Sequence, residues 1–211
     1  SKLSKSDMRL GRGVTPSDEQ IAAVNNVISN AVTVITGGPG TGKTTMVLGL
    51  VRALKSLGLS ITLCAPTGKA AKRLGEATGL QKFNPSTVHM HLMKVSQGLA
   101  KKYDVMIVDE ASMLDVSLLH SLISNIPDGA RLVLIGDKNQ LPPVASGQPF
   151  KDIIQTIEKS ENYSPDNLSF KPEDGVSGIV AAAYDVINGK EPDSNLNLEE
   201  HNFEFVECAK E

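Results

Sequence analysis

The sequence predicts an α/β fold: a parallel sheet with helices packed on both of its faces. Four short apolar runs, at 31–36, 60–65, 103–108 and 131–135, have the length and near-continuous hydrophobicity of strands buried on both sides. Helical stretches separate them, and parallel strands joined through helices require right-handed crossovers. A third observation marks the working edge of the sheet. The first run leads into Gly37-Gly-Pro-Gly-Thr-Gly42-Lys43, and the last into Gly136-Asp137-Lys138-Asn139-Gln140-Leu-Pro-Pro-Val144. Both loops leave the carboxyl ends of strands, where open α/β sheets take their ligands.

Taken in order, residues 1–15 are polar and basic (Lys2, Lys5, Arg9, Arg12) and read as an arm or the end of an upstream segment. Thr15-Pro16-Ser17-Asp18-Glu19 opens the first helix, with a Thr cap, Pro at the first position and acids in the first turn. Ile21, Val24, Val27 and Ile28 give it one apolar face. The strand at 31–36 follows, then a helix over 43–57, the strand at 60–65 and a helix over 68–77. The strand at 103–108, a helix over 116–126, the strand at 131–135 and a helix over 148–157 complete a unit spanning 16–157. Residues 158–175, rich in Ser, Asn, Pro, Asp and Glu, read as a linker. A short helix over 176–187 and a strand over 202–206 are expected in 176–211, the start of a second, incomplete unit.

Bulk composition narrows the class. Hydrophobic residues at 40% and charged residues at 21% are ordinary for a soluble globular protein. No run approaches the ~18 apolar residues of a membrane span. The first residues lack the apolar core of a signal peptide. Cys64 and Cys208 have no metal-ligand spacing, and the simplest reading is reduced thiols in a cytoplasmic protein. The net charge of −3 hides a split: 17 Lys+Arg against 11 Asp+Glu in 1–157 (+6), and 4 against 13 in 158–211 (−9). An asymmetry of this size points either to an anionic partner for the first part or to a solvated acidic tail.

The glycine string fits G-x-x-x-x-G-K-[ST] and lies between a strand and a helix, the context a P-loop requires. Gly38, Gly40, Thr41 and Gly42 let backbone N–H groups converge on phosphates, and Lys43, Thr44 and Thr45 open the helix whose N-terminus favours anions. Lys43 is expected at the β/γ-phosphates of ATP, and the Thr44 hydroxyl at Mg²⁺. Asp109, ending the apolar strand 103–108, supplies a second hard oxygen for Mg²⁺. Glu110 beside it is the group to orient and deprotonate an attacking water. Gln140 is placed to sense the γ-phosphate and report it elsewhere. Gln20, ahead of the P-loop, is expected to read the adenine edge. Leu63-Cys-Ala-Pro66-Thr67-Gly68-Lys69-Ala-Ala-Lys72-Arg73-Leu74 is another strand-to-helix corner, whose amides, Thr67 and basic residues suit a nucleic-acid backbone. Ser86-Thr87-Val88-His89 places small donors near the same strand. His89 reads either as part of that path or as a histidine at the core's edge, and His91 is given no role.

Together these blocks closely resemble the ATPase domain of superfamily 1 DNA helicases of the RecD/TraA type. G-G-P-G-T-G-K-T-T, L-C-A-P-T-G-K-A-A-K-R-L, S-T-V-H, I-V-D-E-A-S-M-L-D and I-G-D-K-N-Q-L-P-P-V-A-S-G occur in family order over about residues 15–157. The resemblance implies a P-loop NTPase with a RecA-like sheet, driven by ATP and moving 5′→3′ on single-stranded DNA. It implies that Lys43, Glu110 and Gln140 serve catalysis and coupling, and that Pro66, Thr67, Lys69, Arg73, Thr87 and His89 lie on the DNA path. A second RecA-like domain and possible partner subunits are the implied partners, in repair or recombination. The chain departs from the pattern at Phe170-Lys171-Pro172, where the family has a Phe-Arg-Gln-like block, and it stops before the arginine finger of the second domain. The isolated chain is accordingly expected to bind ATP while hydrolysing it slowly and unwinding poorly. Two other classes compete with this reading. One is a nucleotide-gated, non-catalytic DNA-binding module. The other is a P-loop small-molecule kinase, which needs an acceptor pocket and usually a basic lid that the sequence does not show.

Overall fold

The computed structural model describes residues 18–37, 43–140, 147–159 and 203–207. In chain order the elements are α1 (Asp18–Ser29), β1 (Val32–Thr36), α2 (Lys43–Ser56), β2 (Ile61–Ala65), α3 (Gly68–Thr78), β3 (Ser86–Thr87), α4 (Val88–Ser96), β4 (Val105–Val108), α5 (Val116–Ile123), β5 (Arg131–Gly136), α6 (Pro149–Lys159) and β6 (Phe203–Glu207). Short 3₁₀ turns at Gln81–Phe83 and Ala111–Met113 complete the set.

The strands form one six-stranded sheet in the order β3-β2-β4-β5-β1-β6. Every pairing in it is parallel. β1 and β4 are buried at every position, because each face of the sheet carries helices. On one face Val47, Leu50 and Leu54 of α2 pack with Val24 and Val27 of α1, Leu74 of α3, and Ile35, Ile107 and Ile135 of the sheet. On the other, Leu119 and Leu122 of α5 and Phe150, Ile153 and Ile154 of α6 pack with Val34, Met106, Val108 and Leu134. Successive strand residues therefore serve opposite layers, as the period of two requires. Truncating a side chain such as Leu50, which is fully buried, to Ala would cost about 2–5 kcal/mol.

Sheet order, rather than chain order, positions the site. β4, β5 and β1 are consecutive neighbours, so their carboxyl ends, at residues 109, 137 and 37, lie side by side. β2 and β3 flank them, with Ala65 opposite Thr87, so two further strand-to-helix corners are also adjacent.

Three elements differ from the sequence expectation. The stretch 81–96 holds a 3₁₀ turn, a two-residue strand and the helix α4, where the sequence suggests only a set of small donors. The helix expected to end at 157 continues to Lys159, two residues into the expected linker. The strand expected at 202–206 runs over Phe203–Glu207 and pairs with β1 along its whole length. It thus extends this sheet, where the sequence reading gave it to the start of a second unit. The arm at 1–15 and the helix expected at 176–187 lie outside the described residues.

Candidate functional site

The phosphate-loop corner is anchored at both ends. Gly37 N donates to Gly136 O at 3.1 Å, tying the loop's first residue to the end of β5, and Lys138 N donates to Thr36 Oγ1 at 3.3 Å. Lys43 begins α2, and its Nζ donates to Gly37 O at 2.7 Å, turning the lysine back to the end of β1. Thr44 and Thr45 follow, both exposed. The first turn of α2 carries no acidic residue, so the partial positive charge of its N-terminus is left for an external anion. Gly38, Gly40, Thr41 and Gly42 lie outside the described residues, as does the side chain of Gln20 on α1.

At the end of β4, Asp109 continues the ladder, its N–H donating to Cys64 O at 3.0 Å. Burial pushes its carboxyl above the ordinary aspartate value, and the neighbouring Glu110 charge adds to this. The Glu110 N–H, donating to Oδ1 at 2.9 Å, and the charges of Lys43 and Arg73 pull the other way. A partly desolvated carboxylate beside lysine suits an incoming cation, which would relieve its burial cost. Glu110 sits at φ 56°, ψ 35°, in the left-handed region that few residues other than glycine adopt. That backbone turn sends the chain into the 3₁₀ turn and aims the Glu110 side chain toward the end of β5.

There Gln140 Nε2 donates to Glu110 Oε2 at 3.3 Å, and Ser112 Oγ donates to Gln140 Oε1 at 2.9 Å. A carboxylate only accepts, so the amide's nitrogen must face Glu110 and its oxygen the serine. Gln140 is itself held by a turn in which its N–H donates to Asp137 O at 3.1 Å and Asn139 N donates to Asp137 Oδ1 at 2.9 Å. The two strand ends approach this closely because residue 136 is glycine. A Cβ there would stand 2.9 Å from the backbone nitrogen of Ser112 and from Phe150 Cζ. Among the described residues no group of three or more His, Cys, Asp or Glu forms a metal cage. Mg²⁺ does not need one, since it is commonly held by one or two protein oxygens together with substrate phosphates.

The second corner pairs two helix starts. Thr67 caps α3, accepting from Ala70 N at 3.2 Å, and Thr87 caps α4, accepting from Met90 N at 3.0 Å. Lys69, Lys72 and Arg73 are exposed on α3, and Pro66 is half-buried at its start. His89 is exposed on α4, so it is no core-edge residue; the buried histidine is His91, only 6% exposed and edge-on to Tyr103.

A family model described as an AAA domain matches residues 15–163, α1 through α6. The chain belongs to that family. Among curated proteins, this chain is 40% identical over 196 residues to the ATP-dependent RecD2 DNA helicase of Deinococcus radiodurans, a match that takes in 87% of this chain and 26% of that protein. It is 34% identical over 222 residues to the RecBCD enzyme subunit RecD of Mycobacterium tuberculosis, covering 92% of this chain and 38% of the subunit. The crystal structure of Pif1 helicase from Candida albicans aligns with a TM-score of 0.45 and 25% identity over 63% of this chain and 34% of that one. The chain therefore spans about a quarter to two fifths of the length of these curated relatives.

An AAA domain is a nucleotide-binding unit, and the residues expected in that role lie close together: Lys43 bonds to Gly37 at the end of β1, and Asp109, Glu110 and Gln140 follow the ends of the adjacent strands β4 and β5. The Thr67 and Thr87 corners form their own group one and two strands further along. Ser112 is the residue the sequence reading missed. It lies inside the quoted A-S-M-L-D string, and its only signal was a hydroxyl two residues after the acidic pair. No helix among the described residues is long and apolar enough to cross a membrane.

Proposed function

We propose that this chain is the ATP-hydrolysing unit of a DNA helicase that moves 5′→3′ on single-stranded DNA. The names of the relatives support the class. The observation that carries the mechanism is the Glu110–Gln140–Ser112 chain, which links the end of β4 to the end of β5 beside Lys43.

In this reading the loop amides and Lys43 hold the β- and γ-phosphates of ATP, with Lys43 leaving Gly37 O to do so. Thr44 and Asp109 would hold Mg²⁺, which supplies charge neutralisation at the phosphate oxygens. Glu110 orients a water in line with the γ-phosphorus and takes its proton as the new P–O bond forms. The bond to the β-phosphate bridging oxygen breaks, and ADP leaves with that electron pair. Lys43 and the α2 N-terminus stabilise the charge gathering on the transferred oxygens. The Gln140 amide carries two N–H donors, so with one on Glu110 the other is available to the γ-phosphate. A γ-phosphate held in this way adds a bond to the 137–140 turn, whose position then depends on the nucleotide. The corners at Pro66–Thr67 and Thr87–His89, with Lys69 and Arg73, grip the DNA backbone through helix N-termini, hydroxyls and cations. β2 joins them to β4 in one rigid sheet.

Glu110→Gln should leave Mg–ATP binding within about twofold while cutting turnover by on the order of 10²-fold or more. Single-stranded DNA should stimulate turnover of the parent protein. Equal loss of binding and turnover would make Glu110 a structural residue. A small-molecule kinase would show no stimulation by DNA, and a non-catalytic module no turnover.

A further inference from the structure

The sheet's outer edge is open below β3. That strand has only two residues and covers Cys64 and Ala65 of β2, leaving the outer edge of Ile61–Leu63 without a strand partner among the described residues. One concavity is lined by Thr62 and Leu63 of this edge, and a second, beside α3, adjoins it at Asn84 and Ser86, which line both; together they make a two-part groove. The upper part, about 530 Å³, begins at the Thr87 corner and runs between α3 and Pro85–Met90. The lower part, about 330 Å³, descends along Thr62 and Leu63 to the loop at 99–101.

Charge distinguishes the two parts. In the upper groove Lys72 pairs with Glu76 at 3.7 Å. The lower part is lined by Lys82, Lys94 and Lys101 with no carboxylate, and none of the three forms an ion pair among the described residues. Lysine is a usual guard on an exposed sheet edge. Here three line one concave wall, and the field of Lys94 reaches inward to both His91 and Cys64. His91, 94% buried in the same wall, has an Nε2 with no hydrogen-bond partner.

We propose that this groove is a second nucleic-acid subsite, in which Lys82, Lys94 and Lys101 bind the phosphate backbone of strand that has passed beyond the Thr67–Thr87 corner. The inference rests on the DNA path proposed above and extends it down the side of the molecule. The stretch of β2 from Ala65 back to Ile61 is about 13 Å, at ~3.3 Å per residue. That is room for about three or four nucleotides at the ~3.4 Å stacked spacing. One phosphate for each lysine matches that length. Lys82 also lies 5.6 Å from the Phe83 ring centroid, so an apolar wall accompanies the cations. A backbone track with an aromatic beside it is the form that sequence-independent single-strand binding takes.

The test uses the full chain with Lys82, Lys94 and Lys101 all changed to Gln. Binding of a fluorescent oligo-dT of about 6 nucleotides and one of about 20 is followed by anisotropy across a salt series. The triple variant should lose affinity for the long oligonucleotide by on the order of tenfold or more at low salt. The slope of log affinity against log salt should fall by about 2, from three phosphate contacts at ~0.7 each. Affinity for the short oligonucleotide and for Mg–ATP should not change. If parent and variant bind the long oligonucleotide alike with equal slopes, the edge subsite is wrong while the DNA path stands. If the parent binds neither oligonucleotide, the DNA path itself fails and this extension with it. If the variant instead loses inorganic tripolyphosphate while keeping the long oligonucleotide, the lysines serve a small polyanion, and the proposal is overturned.

Discussion

Ser112 and Gln140 are 28 residues apart, yet the hydroxyl of one holds the oxygen end of the other's amide while its nitrogen meets Glu110. Removing the hydroxyl leaves that amide tethered at one end only and loosens its hold on the carboxylate. Ser112→Ala should therefore lower kcat by on the order of tenfold, the equivalent of ~1.4 kcal/mol in the transition state, while KM for ATP moves little. Ser112→Thr, which keeps the hydroxyl, should restore most of the loss; steady-state ATPase kinetics on the three proteins decides it. A purely structural serine would instead lower Tm in the alanine variant without this split. The residue shows what was legible at this scale. Lys43, Thr44, Asp109 and Glu110 are singled out by the sequence alone, because phosphate and metal chemistry constrain the spacing of such motifs along a chain. Ser112 is not, since its role depends on β4 and β5 being neighbours and on Gly136 having no side chain. The histidines divide the same way: burial, which separates His91 from the exposed His89, is fixed by packing against Tyr103 some twelve positions on.

Elements at the opposite, amino-terminal edge of the sheet are held by a local clamp. Asp104 Oδ2 accepts from Ser60 N at 2.7 Å and from Ser60 Oγ at 2.5 Å, and Asp104 N donates back to Ser60 Oγ at 3.0 Å. The clamp joins the start of β2 to the start of β4. The bonds from the Ser60 side chain, then the Ser60 backbone, hold the Asp104 carboxyl below its ordinary value. A carboxyl whose folded value is lowered gives stability that is fully present above its unfolded value, ~3.9, and is lost as pH falls through the folded value. Asp104→Asn should therefore be less stable than the parent at neutral pH, with the gap closing in acid; urea midpoints at several pH values check this. A gap that is constant with pH would mean the carboxylate charge is irrelevant. Strands and helices bounded by such turns and by long apolar runs were legible in the sequence within a few residues. β3 and α4 were not: a two-residue strand has no periodicity, and α4 alternates His and Met with one buried position per turn or fewer.

At the scale of the whole molecule, the sheet order does what no single motif can. It collects residues 37, 109 and 137, distant in sequence, onto neighbouring strands, and sets the two threonine-capped corners beside them. Alternation of strands and helices made a parallel sheet legible, but not its order, and it gave no sign that Phe203–Glu207 pairs with β1. That pairing depends on contacts across more than 160 residues of chain. A ligand spanning the ends of β1 and β4 should therefore stabilise the sheet as a unit. Binding only to the folded state adds RT ln(1 + [L]/Kd), about 2.7 kcal/mol at a hundredfold excess over Kd. For a domain of this size that is a rise in Tm of roughly 5–10 °C. Mg–ATP should produce such a rise in the parent chain, whereas AMP, which lacks the phosphates that Lys43 would hold, should produce little. Lys43→Ala should abolish the rise while leaving Tm without nucleotide nearly unchanged, because Lys43 is only half-buried and among the described residues bonds to Gly37 O alone. Thermal melts of both proteins with each nucleotide measure the difference. An undiminished rise in Lys43→Ala would remove the lysine from the phosphate site, and with it the mechanism built on that corner.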